Sequence, residues 1–136
     1  SMGGHGALTL GQKYPALFRS LSAFAPVCTP SKDGWGPVAL RAYLGDDRQQ
    51  WASHDATECM KKNDGTLPLI LIDQGLEDSA YREGRLKPEA FVAVCHAVGQ
   101  AVTLRLHEGY DHGYFFIQSF IEDHLHHHVR VLSATV

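Results

Sequence analysis

The clearest strand pattern lies at residues 67–73, where Leu69-Ile70-Leu71-Ile72 is apolar at every position. A strand that is apolar on both faces is expected where helices cover both sides of a sheet. Residues 20–25, Ser-Leu-Ser-Ala-Phe-Ala, predict a second buried strand stopped by Pro26, and residues 101–106 a third. Between and around them the pattern changes to helical spacing. Residues 4 to about 14 predict a small-residue helix closed by Tyr14-Pro15, and residues 38–44 a short helix ending at Gly45. Pro88 opens and Gly99 closes a further helix, the usual asymmetry of helix ends. From Tyr114 onward, Ile117, Phe120, Ile121, Leu125 and His128 fall on one stripe at helical spacing. Residues 29–36, with Pro30, Asp33, Gly34 and Gly36, predict a loop. Residues 46–63 predict a surface excursion with short helical turns, in which Asp55 caps residues 56–61.

Strands alternating with helices predict an α/β fold with a parallel sheet covered by helices on both faces. Three strands make a small sheet, and the free side of the first would be an apolar edge, which folded proteins avoid. More sheet is therefore expected upstream of Ser1. The 136 residues suffice for one domain, and 44% hydrophobic with 20% charged residues is ordinary for a globular chain. A formal charge of −3 provides no basic footprint for nucleic acid or an anionic membrane. No apolar run approaches the length that spans a bilayer. Cys28, Cys59 and Cys95 are odd in number and far apart, which fits a reduced compartment better than a disulfide scaffold.

In an open parallel sheet, chemistry collects at the carboxyl ends of the strands. Ser1, followed by Met2-Gly3-Gly4, has the form of the second half of a G-x-S-x-G nucleophile elbow. Asp78 follows the second strand by one short loop, and His112 follows the third within Glu108-Gly109-Tyr110-Asp111-His112-Gly113. Serine, acid, histidine is the chain order of α/β-hydrolases. A serine hydroxyl is a weak nucleophile until a histidine takes its proton, and a carboxylate holds that histidine in the required tautomer. Asp78 is the preferred acid, with Asp73 and Glu77 as rivals. Asp111, adjacent to His112, reads as a turn or cap residue. The backbone N–H of Met2 would donate to the oxyanion.

With these residues in place, the chain resembles the S-formylglutathione hydrolase (esterase D) family. The matching stretches are SMGGHGAL at 1–8, SAFAP at 22–26, YLGDD at 43–47, the Trp51 to Thr57 run, LIDQGLED at 71–78 and EGYDHGYFFI at 108–117. The resemblance implies an α/β-hydrolase fold with an eight-stranded sheet, a triad of Ser1, Asp78 and His112, and no cofactor or catalytic metal. It further implies hydrolysis of S-formylglutathione to glutathione and formate in formaldehyde detoxification, with esterase activity on small acyl esters. Family members are typically cytoplasmic and often dimeric. The chain departs from the family in lacking the Gly-His before the serine, the first five strands and the loop that carries the other oxyanion donor. It looks like the C-terminal half of such an enzyme. Two further readings stay open: a non-catalytic half that folds or associates, and an N-terminal-nucleophile hydrolase using the Ser1 amine as base.

The remaining candidates read chiefly as packing residues. His124 and His128 have an i, i+4 spacing that could hold zinc or nickel, although a structural role for a histidine-rich helix end is favoured. His5 and His54 read as packed or solvated. Trp35 is a candidate wall of an acyl or glutathione pocket. Cys59 and Cys95 fall in predicted helices and read as core.

Overall fold

The computed structural model describes residues 1–134. Three parallel strands, β1 (Leu21–Phe24), β2 (Ile70–Gly75) and β3 (Val102–His107), lie in the order β1-β2-β3. Helix α1 (Met2–Lys13) precedes β1 and packs on it. The excursion between β1 and β2 forms α2 (Gly36–Leu44), α3 (Arg48–Ser53) and α4 (Ala56–Lys61). A single turn, α5 (Ser79–Arg82), follows β2, and α6 (Pro88–Val98) leads into β3. The long α7 (Tyr114–Ser133) closes the described chain. The expected α/β class and parallel sheet are present. Among the described residues, β1 has no strand on its other side.

The main core lies between β1–β2 and helices α1, α4 and α6, built from Leu8, Leu21, Ala23, Met60, Ile70, Ile72, Phe91 and Cys95. Every residue of β2 is buried, the polar Asp73 and Gln74 included, whereas Leu69 of the apolar run lies before the strand and is exposed. The strand begins at Ile70 rather than at residue 67. Pro68 has no N–H to give to a ladder, and the side chain of Gln100 takes over there, bonding the N–H and C=O of Leu67 and the C=O of Pro68. The strand also runs on to Gly75, which pairs with His107. Asp73, expected at the strand end, is therefore inside it.

Helix α7 is turned relative to the expected stripe. Ile117 and Phe120 do pack inward with buried Phe116, but Ile121 and Leu125 are exposed, and His124 and His127 are buried in their place. The cause is polar. His124 stacks on Phe24 and places Nε2 2.8 Å from the buried carboxylate of Asp73, and His127 Nε2 meets the Leu21 carbonyl at 3.0 Å. A buried carboxylate needs donors more than the core needs two further aliphatic side chains.

Candidate active site

Two loops bring the predicted residues together. After β2, the N–H of Leu76 donates to His107 O (2.9 Å) and the N–H of Glu77 to Tyr110 O (2.8 Å), so the loop carrying Asp78 is bolted to the loop carrying His112. The approach is close enough to require Gly75: a Cβ there would lie 2.3 Å from Tyr110 O. The serine end is held in the same manner. Ser1 O accepts from the N–H groups of His5 (3.1 Å) and Val27 (3.0 Å). The first turn of α1 sits against Pro26, whose Cα would be 2.9 Å from a Cβ at Gly4. Small residues behind the serine are thus what lets the helix start against the carboxyl end of β1.

Asp78 is fully buried and caps α5. Its Oδ1 accepts from the N–H groups of Ala80 (2.8 Å) and Tyr81 (3.3 Å), while Oδ2 accepts from Gln74 Nε2 (3.0 Å) and lies 2.6 Å from His112 Nδ1. Burial pushes the Asp78 carboxyl upward, but the bonds from His112 and Gln74 outweigh it and hold the acid below the usual carboxylate range. An ionised carboxylate only accepts, so His112 carries its proton on Nδ1. In the neutral ring, Nε2 is then an unprotonated base, and it has no partner among the described residues.

Ser1, His112, Asp78 and Met2 line one cavity of about 660 Å³ with Trp35, Leu40 and Tyr43. The walls from α2 are apolar, and Trp35 is 74% exposed into this open space. The expected serine–histidine bond is not made. Ser1 is the N-cap of α1, yet its hydroxyl accepts no cap bond; Oγ instead donates to Met2 Sδ at 3.2 Å. Serine side chains occupy three staggered positions, so a turn about χ1 redirects the hydroxyl without moving the helix. The first N–H groups of a helix have no intrahelical acceptor, which leaves Met2 N–H available at the positive end of the α1 dipole.

The rival acids are placed elsewhere. Asp73 accepts two bonds from Arg105 (both 2.6 Å) and lies 3.0 Å from His107 and 2.8 Å from His124. Burial alone would raise its carboxyl, and the bonds from His124, Arg105 and His107 reverse that shift, holding it far below the usual range. Glu77 pairs with Arg82 at the surface. Asp111 is in the exposed loop, and Gly113, not Asp111, caps α7.

The spacing of His124 and His128 serves a hydrogen-bonded chain. His124 Nδ1 meets Ser22 Oγ (2.8 Å), Ser22 Oγ meets His128 Nε2 (2.9 Å), and His128 Nδ1 meets Ser20 Oγ (2.6 Å). With Nε2 of His124 on Asp73, all four ring nitrogens are engaged by protein. Among the described residues no group of three or more His, Cys, Asp or Glu side chains could hold a metal ion. His5 Nε2 accepts from Ala56 N–H (3.3 Å), and His54 is exposed beside Lys13. Cys95 is core, whereas Cys59 is half-buried on α4. The sequence reading missed Gln74, whose DQG context carries no chemical motif, and the Asp73–Arg105–His107–His124 cluster, whose members are distant in sequence.

The chain matches a family model described as "Putative esterase" over residues 1–127. It is 48% identical over 134 residues to S-formylglutathione hydrolase of Mus musculus, covering 98% of this chain and 48% of that protein. The corresponding protein of Paracoccus denitrificans is 46% identical over 132 residues, 97% of this chain and 46% of its own length. The chain thus spans about half the length of the curated relatives it matches. An S-formylglutathione hydrolase structure from Agrobacterium tumefaciens superposes with a TM-score of 0.91 at 43% identity, over 97% of this chain and 47% of that one. By sequence and by fold the chain belongs to the esterase family, alongside the S-formylglutathione hydrolases it resembles.

Proposed function

We propose that the cavity is the catalytic centre of a serine hydrolase acting on small acyl esters and thioesters, with S-formylglutathione as the substrate that its relatives' names point to. The observation that carries the proposal is the His112–Asp78 pair at 2.6 Å, with Nε2 unpaired, in the wall of the cavity that Ser1 also lines. Ser1 Oγ attacks the acyl carbonyl as His112 Nε2 takes its proton. The tetrahedral oxyanion receives a hydrogen bond from Met2 N–H. The C–S or C–O bond then breaks, His112 returns the proton to the departing thiol or alcohol, and an acyl-serine remains. Water, deprotonated by the same nitrogen, adds to the acyl-serine; the C–Oγ bond breaks, His112 returns the proton to Ser1 Oγ, and the free acid leaves. Asp78 stays ionised throughout and holds the imidazolium. Trp35 and the α2 side chains would wall the acyl or thiol pocket. No step is routed through a metal or cofactor. The resemblance extends the proposal to formaldehyde detoxification in the cytoplasm and to a homodimer.

The test is hydrolysis of 4-nitrophenyl acetate and of S-formylglutathione by this chain, compared with Ser1→Ala and His112→Ala. Both variants should lose turnover while staying folded. Full activity in His112→Ala would overturn the triad, and a wild-type chain inert towards both substrates would overturn catalysis by this chain.

A further inference from the structure

Gln74 follows Asp73 on β2, and strand alternation turns it to the opposite face of the sheet. It is fully buried. Its Nε2 donates to Gly75 O (3.0 Å) and to Asp78 Oδ2 (3.0 Å). Both neighbours are acceptors, so the amide can face them only with its nitrogen. Its Oε1 is thereby left buried with no partner among the described residues. A buried unpaired acceptor destabilises a fold, and an apolar side chain would suit this strand better. A local cost of this kind is expected where a residue serves a site.

We propose that Gln74 is a positioning residue for the Asp78–His112 pair. The proposal rests on reading that pair as the acid and base of a hydrolase. The backbone of α5 fixes only one oxygen of the carboxylate, Oδ1, through Ala80 and Tyr81. The oxygen that meets His112 is Oδ2, and Gln74 is its second donor. The amide therefore sets the carboxylate plane, and with it the direction in which His112 Nε2 faces the cavity. It also occupies the remaining acceptor site on Oδ2 from inside the fold, where water would otherwise compete.

Gln74→Met keeps the length of the side chain and removes both the donor and the orphaned oxygen. Its melting temperature should fall only modestly, because the donor lost by Asp78 Oδ2 and Gly75 O is partly offset by removal of the orphaned Oε1, while kcat for 4-nitrophenyl acetate, per folded molecule, falls roughly tenfold to a hundredfold, the scale of a misdirected catalytic group, with KM within about twofold of the parent. The His112 Nδ1 proton, followed by NMR as the low-field signal of its bond to Asp78, should shift or broaden. Gln74→Leu provides the same readouts should the methionine variant fail to fold. Unchanged kcat, a loss of kcat fully accounted for by unfolded protein, or an unchanged Nδ1 signal would each overturn the proposal. If the parent chain itself turns over no ester, the hydrolase reading falls. The NMR signal then still decides the role of Gln74: altered in a stable variant supports positioning, and unaltered overturns it.

Discussion

Asp73 and Asp78 are both fully buried, both ionised and both bonded to histidine, yet they should fail in opposite ways when neutralised. In Asp78→Asn the cap on α5 survives, because asparagine caps a helix about as well as aspartate. What changes is the group facing His112. The amide nitrogen or oxygen must share the space now held by Oδ2, against the N–H donors of Gln74 and His112. The ring responds by holding its proton on Nε2, which can then no longer accept one from Ser1. A wrong-tautomer histidine lowers kcat by about 10⁴, which is about 5.5 kcal/mol of barrier, while the stability loss stays at about 1 kcal/mol, that of a weakened hydrogen bond. Asp73→Asn reverses the balance. It leaves Arg105, His107 and His124 without their shared carboxylate, and removal of one member of a buried ion pair costs about 3–5 kcal/mol. Activity per folded molecule should hold near the parent value, because none of these groups lines the Ser1 cavity. Ester hydrolysis with active sites titrated, alongside urea unfolding of the same preparations, separates the two effects. The reasoning fails if Asp78→Asn retains more than a tenth of parental kcat, or if Asp73→Asn loses turnover as severely as Asp78→Asn.

Gly75→Ala places a methyl 2.3 Å from Tyr110 O, so the two loops must part. A stability loss of about 1–3 kcal/mol should accompany a fall in activity, read by thermal unfolding and ester hydrolysis. The pH dependence of stability has two stages. Burial lowers the imidazoles of His5, His127 and His128, so the unfolded chain binds more protons than the folded one below about pH 6.5, and the urea midpoint should begin to fall there. Asp73 and Asp78 have lowered carboxyls, and their stabilisation is present above about pH 4 and lost as pH falls further. Asp73→Asn should flatten this lower stage, and an unchanged profile would refute it. Burial pushes the Cys95 thiol up to about 12 and the buried Cys28 thiol higher still. Alkylation of the native chain followed by mass spectrometry should therefore modify Cys59 first, with Cys28 and Cys95 reacting only after denaturation.

The legible parts of the chain were those where a local rule and the tertiary packing agree. Residues 67–73 read as a two-sided buried strand because nothing but helix packing suits four consecutive aliphatic residues. The helix Pro88–Val98 was bounded by its own Pro and Gly, and Asp55 caps Ala56–Lys61 as its position predicted. The candidate site was legible because Asp78 and His112 each follow a strand, where open parallel sheets collect polar groups, and because Ser1 opens a helix with the small residues of half an elbow motif. What periodicity could not supply was the orientation of α7. Its aliphatic residues define one stripe, but the face that turns inward is chosen by a carboxylate on another element. Asp73 needed donors, and no property of residues 114–133 alone reveals that. Gln74 was hidden for the same reason: its role exists only through Asp78, four residues on and across a turn.

The molecule places a serine, a histidine and a carboxylate together twice, but links all three by hydrogen bonds only once, and away from the cavity. Ser22, His124 and Asp73 form an unbroken chain with bonds of 2.8 Å at both ends of the ring, better made than the one through His112. Yet the Ser22 hydroxyl is shared with His128, the histidine is buried between α7 and β1, and neither Ser22 nor His124 lines the Ser1 cavity. A hydroxyl held between two ring nitrogens and away from the cavity cannot be presented to an acyl carbonyl. Ser1 makes the opposite compromise. It forgoes the cap bond that a serine before a helix usually makes and reaches only a weak thioether acceptor. Its hydroxyl is therefore cheap to redirect, and it stands in a cavity beside a histidine whose second nitrogen is unclaimed. On the proposed hydrolase reading, that incompleteness is what favours Ser1 over Ser22 as the nucleophile.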